Sequence, residues 1–137
     1  MKKTSDLVIN LKYKIAKLAE KYRIVYAILF GSQIERRAVK GESDIDLAIK
    51  AKELDKSESY NFLKRILNEI GVDNLDIIIV NFAPFSIIYD ILTKGKVIFC
   101  NDYEELFEDR LKAIKLYDDW IHFSKVFEER EVRKVMG

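Results

Sequence analysis

The chain has 137 residues, of which 49% are hydrophobic and 34% are charged, so it is long enough for one domain with a hydrophobic core. Its 24 lysine and arginine residues nearly balance its 23 aspartate and glutamate residues, which leaves a net charge of +1. A protein that grips long nucleic acid usually carries a basic excess, so this balance favours a small molecule or a protein as the substrate.

The cysteine content and the N-terminal sequence bear on the compartment. The single cysteine, Cys100, cannot form an internal disulfide, which is typical of a cytoplasmic protein. The opening residues, Met1-Lys2-Lys3, are followed by polar residues rather than by the apolar core of a signal peptide. Because no uninterrupted apolar run approaches the roughly 20 residues that span a membrane, we expect a cytoplasmic protein without a membrane segment.

The first predicted elements are a helix and a buried strand. The helix begins near Thr4 or Ser5, either of which can cap it, and its apolar residues recur at helical spacing. These residues are Leu7, Leu11, Ile15, Leu18 and Tyr22. Strand one runs from Ile24 to Phe30 and is apolar nearly throughout, which is typical of a strand covered on both faces.

The second predicted strand carries Asp44 and Asp46, whose side chains point to one face because strand residues alternate. Two carboxylates about 7 Å apart repel each other, and a divalent cation removes that repulsion because hard metal ions prefer carboxylate oxygens. Upstream, Gly31 lets the backbone approach a ligand, and Ser32 opens a short helix with donors for a phosphate. Together these elements predict a nucleotide bound with Mg²⁺.

The middle of the chain predicts a helix and a third strand. Ser57 is the expected N-terminal cap of the helix and Gly71 its C-terminal cap. The buried face of this helix comprises Phe62, Leu63, Ile66, Leu67 and Ile70. Strand three, Leu75 to Val80, contains Asp76, and an aspartate in an apolar run costs free energy unless something charged meets it. Given Asp44 and Asp46 upstream, a metal-binding or proton-accepting role for Asp76 is favoured over a helix cap or a salt bridge.

A short helix and a fourth strand follow. Pro84 suits the first turn of the helix, Lys94-Gly95 ends it, and Val97 to Cys100 forms the strand. We expect Cys100 to be a small buried hydrophobe rather than a nucleophile, since no histidine lies nearby in the sequence. The expected core side of the helix comprises Phe85, Ile88, Ile91 and Leu92.

The last segment, from about residue 102 to 134, predicts one long helix capped by Asn101 or Asp102. It carries two apolar stripes, roughly 130° apart at about 100° per residue. The first, expected to dock on the domain, comprises Tyr103, Leu106, Phe107, Ile114, Tyr117 and Ile121. The second comprises Leu116, Trp120, Phe123 and Phe127. It predicts either a surface for a partner or a second copy, or a broader core around a bent helix.

The spacing of the two central motifs resembles a known family signature. Gly31-Ser32 is followed, eleven residues after Ser32, by Ser43-Asp44-Ile45-Asp46-Leu47, which is similar to the DNA polymerase beta-like nucleotidyltransferase superfamily. The similarity is greatest to its minimal members, the MNT-domain antitoxins that pair with HEPN-domain toxins. It implies an α/β nucleotidyltransferase fold in a single domain: a small mixed sheet flanked by helices (core about residues 5–100) and a long C-terminal helix.

The resemblance also implies the roles of the site residues. The nucleotide-binding set is Gly31, Ser32, Gln33 and Arg37, with the backbone amide of Gln33 as the phosphate donor. The catalytic and metal-binding set is Asp44, Asp46 and Asp76. The implied reaction transfers AMP from ATP, with one or two Mg²⁺ ions, to a hydroxyl group, typically a tyrosine of the HEPN toxin. For Arg37, a surface role in solubility stays open.

Two other functions also stay open. The chain could neutralise a toxin by binding alone, with the second stripe of the C-terminal helix as the interface. Alternatively, it could modify a small hydroxylated molecule, as related antibiotic nucleotidyltransferases do. Homo-oligomerisation through the C-terminal helix is an alternative to the toxin as a partner. Neither a membrane nor long nucleic acid is expected as a partner.

Overall fold

The computed structural model describes residues 4–31 and 45–136 of the chain. In chain order the elements are α1 (Thr4–Tyr22), β1 (Ile24–Phe30), β2 (Ile45–Ala51), a 3₁₀ turn (Lys56–Glu58), α2 (Ser59–Ile70), β3 (Leu75–Ile79), a second 3₁₀ turn (Val80–Phe82), α3 (Phe85–Lys94), β4 (Lys96–Cys100) and α4 (Tyr103–Met136). None of the helices in these two ranges combines the length and the hydropathy needed to span a lipid bilayer.

The four strands form one mixed sheet in the order β3-β2-β1-β4. β1 pairs antiparallel with both β2 and β4. β2 and β3 run parallel, because α2 connects them as a crossover helix. The predicted α/β class, the small mixed sheet and the long C-terminal helix are therefore confirmed.

Helices cover both faces of the sheet. α1 and α2 pack on one face, where the core includes Leu11, Ile15, Leu47, Ile49 and Ile66. α3 and α4 pack on the other face, where the core includes Tyr26, Ile28, Ile91, Leu92 and Leu106. β1 lies between the two cores, so residues 24–29 are all buried, as expected of a strand covered on both faces.

Helix α2 begins at Ser59, after the 3₁₀ turn, rather than directly after Ser57. The Ser57 hydroxyl donates to a carboxylate oxygen of Asp55 at 2.8 Å. The predicted cap was wrong because this serine has a closer acceptor within the turn. The predicted C-terminal cap is confirmed, since Gly71 adopts a φ of 60° and its amide donates to the Leu67 carbonyl.

The long helix α4 begins as predicted but docks through a different face. Asp102 Oδ1 accepts a hydrogen bond from the Glu105 amide at 3.1 Å, so Asp102 is the N-terminal cap. Over residues 103–135 of α4, the buried apolar residues are Leu106 and Ala113. Four members of the predicted docking stripe are exposed instead, and their expected burial is wrong: Tyr103, Phe107, Ile114 and Ile121.

The docking face of α4 is partly polar, which explains why the apolar pattern misplaced it. The Arg110 guanidinium donates to the carbonyl of Leu92 at 3.0 Å, and Asp109 bonds to residues of the sheet. Further along, Tyr117 stacks on Tyr89 of α3, with ring centroids 3.9 Å apart. A stripe defined by apolar residues alone omits Asp109 and Arg110, the charged residues through which the helix contacts the rest of the domain.

A half-buried charge network joins α4 to the sheet. Asp109 Oδ2 accepts hydrogen bonds from the Tyr26 hydroxyl at 2.8 Å and from the Lys50 ammonium at 2.5 Å. Glu105 lies 3.3 Å from the same ammonium group. Burial raises the pKa of Tyr26, and the hydrogen bond to Asp109 raises it further. Burial lowers the pKa of Lys50, but the carboxylates of Asp109 and Glu105 outweigh this effect and raise it overall.

Asp109→Asn should lower the free energy of unfolding by about 1–3 kcal/mol, because it leaves Lys50 half-buried without its nearest negative charge. Urea unfolding at pH 7 measures this change. Glu108→Gln is the control, since Glu108 is an exposed neighbour on α4 and its replacement should cost less than about 0.5 kcal/mol. Equal effects of the two variants would show that the network does not stabilise the fold.

Candidate active site

Gly31 follows β1 and turns the chain against the carboxylate of Asp46. Its φ is +88°, in the left-handed region that favours glycine. A Cβ at this position would overlap Oδ2 of Asp46, so any other residue would push the carboxylate away. The glycine is therefore required by a contact as well as by the turn.

Asp46 and Asp76 are neighbours on adjacent strands. Asp46 pairs with Phe30 in the antiparallel ladder and with Asp76 in the parallel ladder. Residues in register on paired strands lie about 4.8 Å apart and point to the same face of the sheet. Ala48 and Ile78, two residues further along each strand, belong to the core beneath α3 and α4. The two aspartates therefore lie on that face, at its end nearest Gly31.

Asp76 is exposed, whereas Asp46 is half-buried. The expected desolvation cost of Asp76 is wrong, because β3 is an edge strand of the sheet and this side chain reaches solvent. Asp76 remains a candidate because it lies beside Asp46 on the neighbouring strand. Two adjacent carboxylates next to a glycine turn are hard oxygen donors, and this donor set fits a cation such as Mg²⁺.

Four of the predicted site residues lie outside the described residues: Ser32, Gln33, Arg37 and Asp44. The structure describes Gly31, Asp46 and Asp76, and it brings these three together from different elements. Within residues 4–31 and 45–136 there is no cluster of three or more metal-ligating side chains. The predicted metal set includes Asp44, which falls between those two ranges.

A cleft of about 380 Å³ opens beside Gly31, between the sheet and α3. Its apolar lining consists of Phe30, Ile78, Ile87 and Ile91. Two charged side chains of α3, Asp90 and Lys94, also line it, and their carboxylate and ammonium groups are 3.4 Å apart. A cleft of this volume is within the range of small-molecule binding sites.

Asp90 and Lys94 were not predicted as residues of this cleft. They share one face of α3 with Ile87 and Ile91, because residues three and four apart lie on the same side of a helix. The available signal was the carboxylate of Asp90 in the middle of a helix whose neighbouring residues are mostly apolar. The sequence does not indicate which end of the sheet this helix face meets. It therefore could not assign the two charged residues to the candidate site.

A second cleft, of about 390 Å³, lies between α3, α4 and the other end of β2. Its lining includes the Lys50–Asp109 pair together with apolar side chains such as Phe85 and Leu116. Lys50 and Asp46 lie on one face of β2, four residues and about 13 Å apart. The charge network and the candidate site therefore occupy opposite ends of the same strand.

Solved structures of low sequence identity share this fold. A chain of a toxin–antitoxin complex with AMP-PNP is 20% identical, with a TM-score of 0.64 over 92% of this chain and 98% of that chain. A chain of the complex between a tri-AMPylated Shewanella oneidensis HEPN toxin and its MNT antitoxin is 19% identical, with a TM-score of 0.63 over 95% and 99%. A chain of the toxin–antitoxin pair MntA–HepT is 20% identical, with a TM-score of 0.61 over 93% and 97%.

No curated protein matches the chain in sequence. A family model described as polymerase beta, nucleotidyltransferase matches residues 13–104. The match spans more than half of the chain and includes Gly31, Asp46 and Asp76. The chain therefore belongs to the polymerase beta nucleotidyltransferase family.

Proposed function

We propose that this chain transfers AMP from ATP to a hydroxyl group, and that the acceptor is a tyrosine of a cognate HEPN toxin, so that the chain acts as an antitoxin. The observation that carries the proposal is the contact between Gly31 and Asp46, with Asp76 in register beside it. Further support comes from structural neighbours described with AMP-PNP and with a tri-AMPylated HEPN toxin. The proposed location is the cytoplasm, which supplies ATP and keeps Cys100 reduced.

In the proposed site, the turn after β1 holds the triphosphate. Gly31 and Ser32 bring backbone and hydroxyl donors to the phosphate oxygens, joined by the Gln33 amide. Arg37 offsets the negative charge of the leaving pyrophosphate.

The carboxylates of Asp44, Asp46 and Asp76 would hold Mg²⁺ beside this turn. When bound, Mg²⁺ supplies positive charge that offsets the charge of the phosphate oxygens. The acceptor oxygen forms a bond to the α-phosphorus of ATP, while the bond from that phosphorus to the pyrophosphate oxygen breaks. Asp76, which is exposed beside Asp46, would either complete this Mg²⁺ site or take up the proton of the hydroxyl group.

We also propose that the toxin docks on the exposed aromatic side of α4. Trp120, Phe123 and Phe127 are 49%, 68% and 55% exposed, and the last two stack with ring centroids 6.4 Å apart. Exposed aromatic patches are enriched at protein interfaces. A second copy of the chain is the competing occupant of this surface.

Mg²⁺ with ATP should raise the melting temperature, because a ligand that binds only the folded state stabilises it. Asp46→Asn and Asp76→Asn should each reduce this rise and lower AMP transfer by at least about tenfold, since each removes a carboxylate from the metal site. Asp73→Asn is the matched control, because Asp73 is exposed in the turn before β3. Thermal shift and transfer of labelled AMP measure both effects.

A wild-type response to Mg²⁺ and ATP in both site variants would place the metal elsewhere. The same variants separate catalysis from binding. If Asp76→Asn transfers no AMP but still neutralises the toxin fully, the chain acts by occlusion alone.

Gly31→Ala should lower AMP transfer by at least about tenfold, because the new methyl group displaces the Asp46 carboxylate that the site requires. Gly71→Ala is the control: its φ is also positive, at 60°, but the nearest atom to its Cβ would be the Asn68 carbonyl oxygen at 3.9 Å. It should cost about 1 kcal/mol of stability and leave transfer unchanged. Equal AMP transfer by the two variants would show that Gly31 serves only the turn and that its contact with Asp46 does not affect transfer.

Phe123→Ala should weaken toxin binding by about 2 kcal/mol, or roughly thirtyfold in Kd. The melting temperature should hardly change, because Phe123 is 68% exposed. Trp120→Ala should weaken binding similarly. Phe107→Ala is the control, since Phe107 is 59% exposed on the same helix but outside the patch. Calorimetry with the toxin and sedimentation of the chain alone distinguish a toxin interface from self-association.

A further inference from the structure

The apolar cleft beside the candidate site has one wall formed by a single face of α3. Ile87, Asp90, Ile91 and Lys94 recur at spacings of three and four residues and all line the cleft. Side chains of β1 and β3 lie opposite this wall. The cleft therefore combines apolar surface with one carboxylate and one ammonium group.

The position of the cleft determines which part of a nucleotide fits there. Gly31 lines it, but neither Asp46 nor Asp76 does. A group in the cleft would lie beside the proposed triphosphate turn, to one side of the carboxylates that the acceptor hydroxyl must approach. The base of ATP extends away from the phosphates, so this location suits the base rather than the acceptor.

We propose that this cleft binds the base of the nucleotide and that Asp90 and Lys94 recognise its edge, an inference that rests on the proposed AMP transfer. The apolar side chains, Phe30 among them, pack against the faces of the flat ring. The Asp90 carboxylate accepts a hydrogen bond from the 6-amino group of adenine, and the Lys94 ammonium donates to the ring nitrogen next to it.

The Asp90–Lys94 pair provides the acceptor and the donor that such an edge requires. Asp90 Oδ1 and Lys94 Nζ lie 3.4 Å apart, so an acceptor and a donor stand side by side, as the donor and acceptor of adenine do. The two side chains are 62% and 68% exposed, and ion pairs this exposed contribute little to stability. Hydrogen bonds to the base can therefore replace the contact between the two side chains without destabilising α3.

The test compares ATP with purine riboside triphosphate, an analogue that lacks the 6-amino group. Calorimetry in the presence of Mg²⁺ gives both Kd values for the wild type, Asp90→Ala and Thr93→Ala. The wild type should bind ATP about tenfold more tightly than the analogue, as expected for a hydrogen bond to a charged group at a partly exposed site. Asp90→Ala should bind the two nucleotides within about twofold of each other.

Thr93→Ala is the matched control, because Thr93 is exposed on the same helix, lies outside the cleft, and bonds to the Tyr89 carbonyl. It should keep the tenfold preference. Ile87→Ser tests the apolar wall, and it should weaken both nucleotides equally, by about fivefold. Unchanged affinities in Ile87→Ser would overturn the assignment of the cleft to the base.

A wild type that binds both nucleotides equally, or a preference that survives in Asp90→Ala, would overturn the role of Asp90. AMP transfer is measured in parallel on the same proteins. Normal transfer with a preference that does not depend on Asp90 refutes this inference and leaves the proposed function intact. An Asp90-dependent preference without transfer supports the inference and refutes the transfer reaction alone.

Discussion

The contact between the Gly31 backbone and the Asp46 carboxylate is the constraint on which the site depends. It forms because the ladder between β1 and β2 pairs Asp46 with Phe30, the residue before the glycine. A slip of one residue would turn every side chain of β2 to the opposite face and would bury Asp46 beneath α1 and α2. The slip is disfavoured because Leu47 and Ile49 would leave the core beneath α1 and α2 and Lys50 would enter it, so the hydrophobic core also fixes the site.

The second carboxylate arrives through the crossover between β2 and β3. Helix α2 buries Phe62, Ile66 and Ile70, which holds β3 parallel to β2 and in register with it. Parallel pairing places Asp76 beside Asp46, although thirty residues separate them in the chain. Because β3 is an edge strand, the same arrangement that brings Asp76 to the site leaves it open to solvent, where a phosphate and an acceptor would approach.

Strand β2 carries charged residues with different roles at its two ends: one belongs to the candidate site and the other to a structural charge network. At one end, Asp46 faces the glycine turn. At the other, Lys50 is neutralised by Asp109 and Glu105, and this network anchors the first part of α4 to the sheet. In the later turns of α4, the aromatic side chains of Trp120, Phe123 and Phe127 are exposed. One strand thus positions the site and orients the surface proposed for the toxin.

The sequence by itself determined the features that depend on local pattern. A nearly continuous apolar run predicted strand one, apolar residues at helical spacing predicted the helices, and residue chemistry predicted the caps at Gly71 and at Asn101 or Asp102. The resemblance to the nucleotidyltransferase signature predicted that Gly31, Asp46 and Asp76 belong together. Only the tertiary structure decided the docking face of α4, the exposure of Asp76 and the cleft that contains Asp90 and Lys94. These depend on strand order and on polar contacts between distant residues, such as Lys50 and Asp109, 59 positions apart, which no local periodicity records.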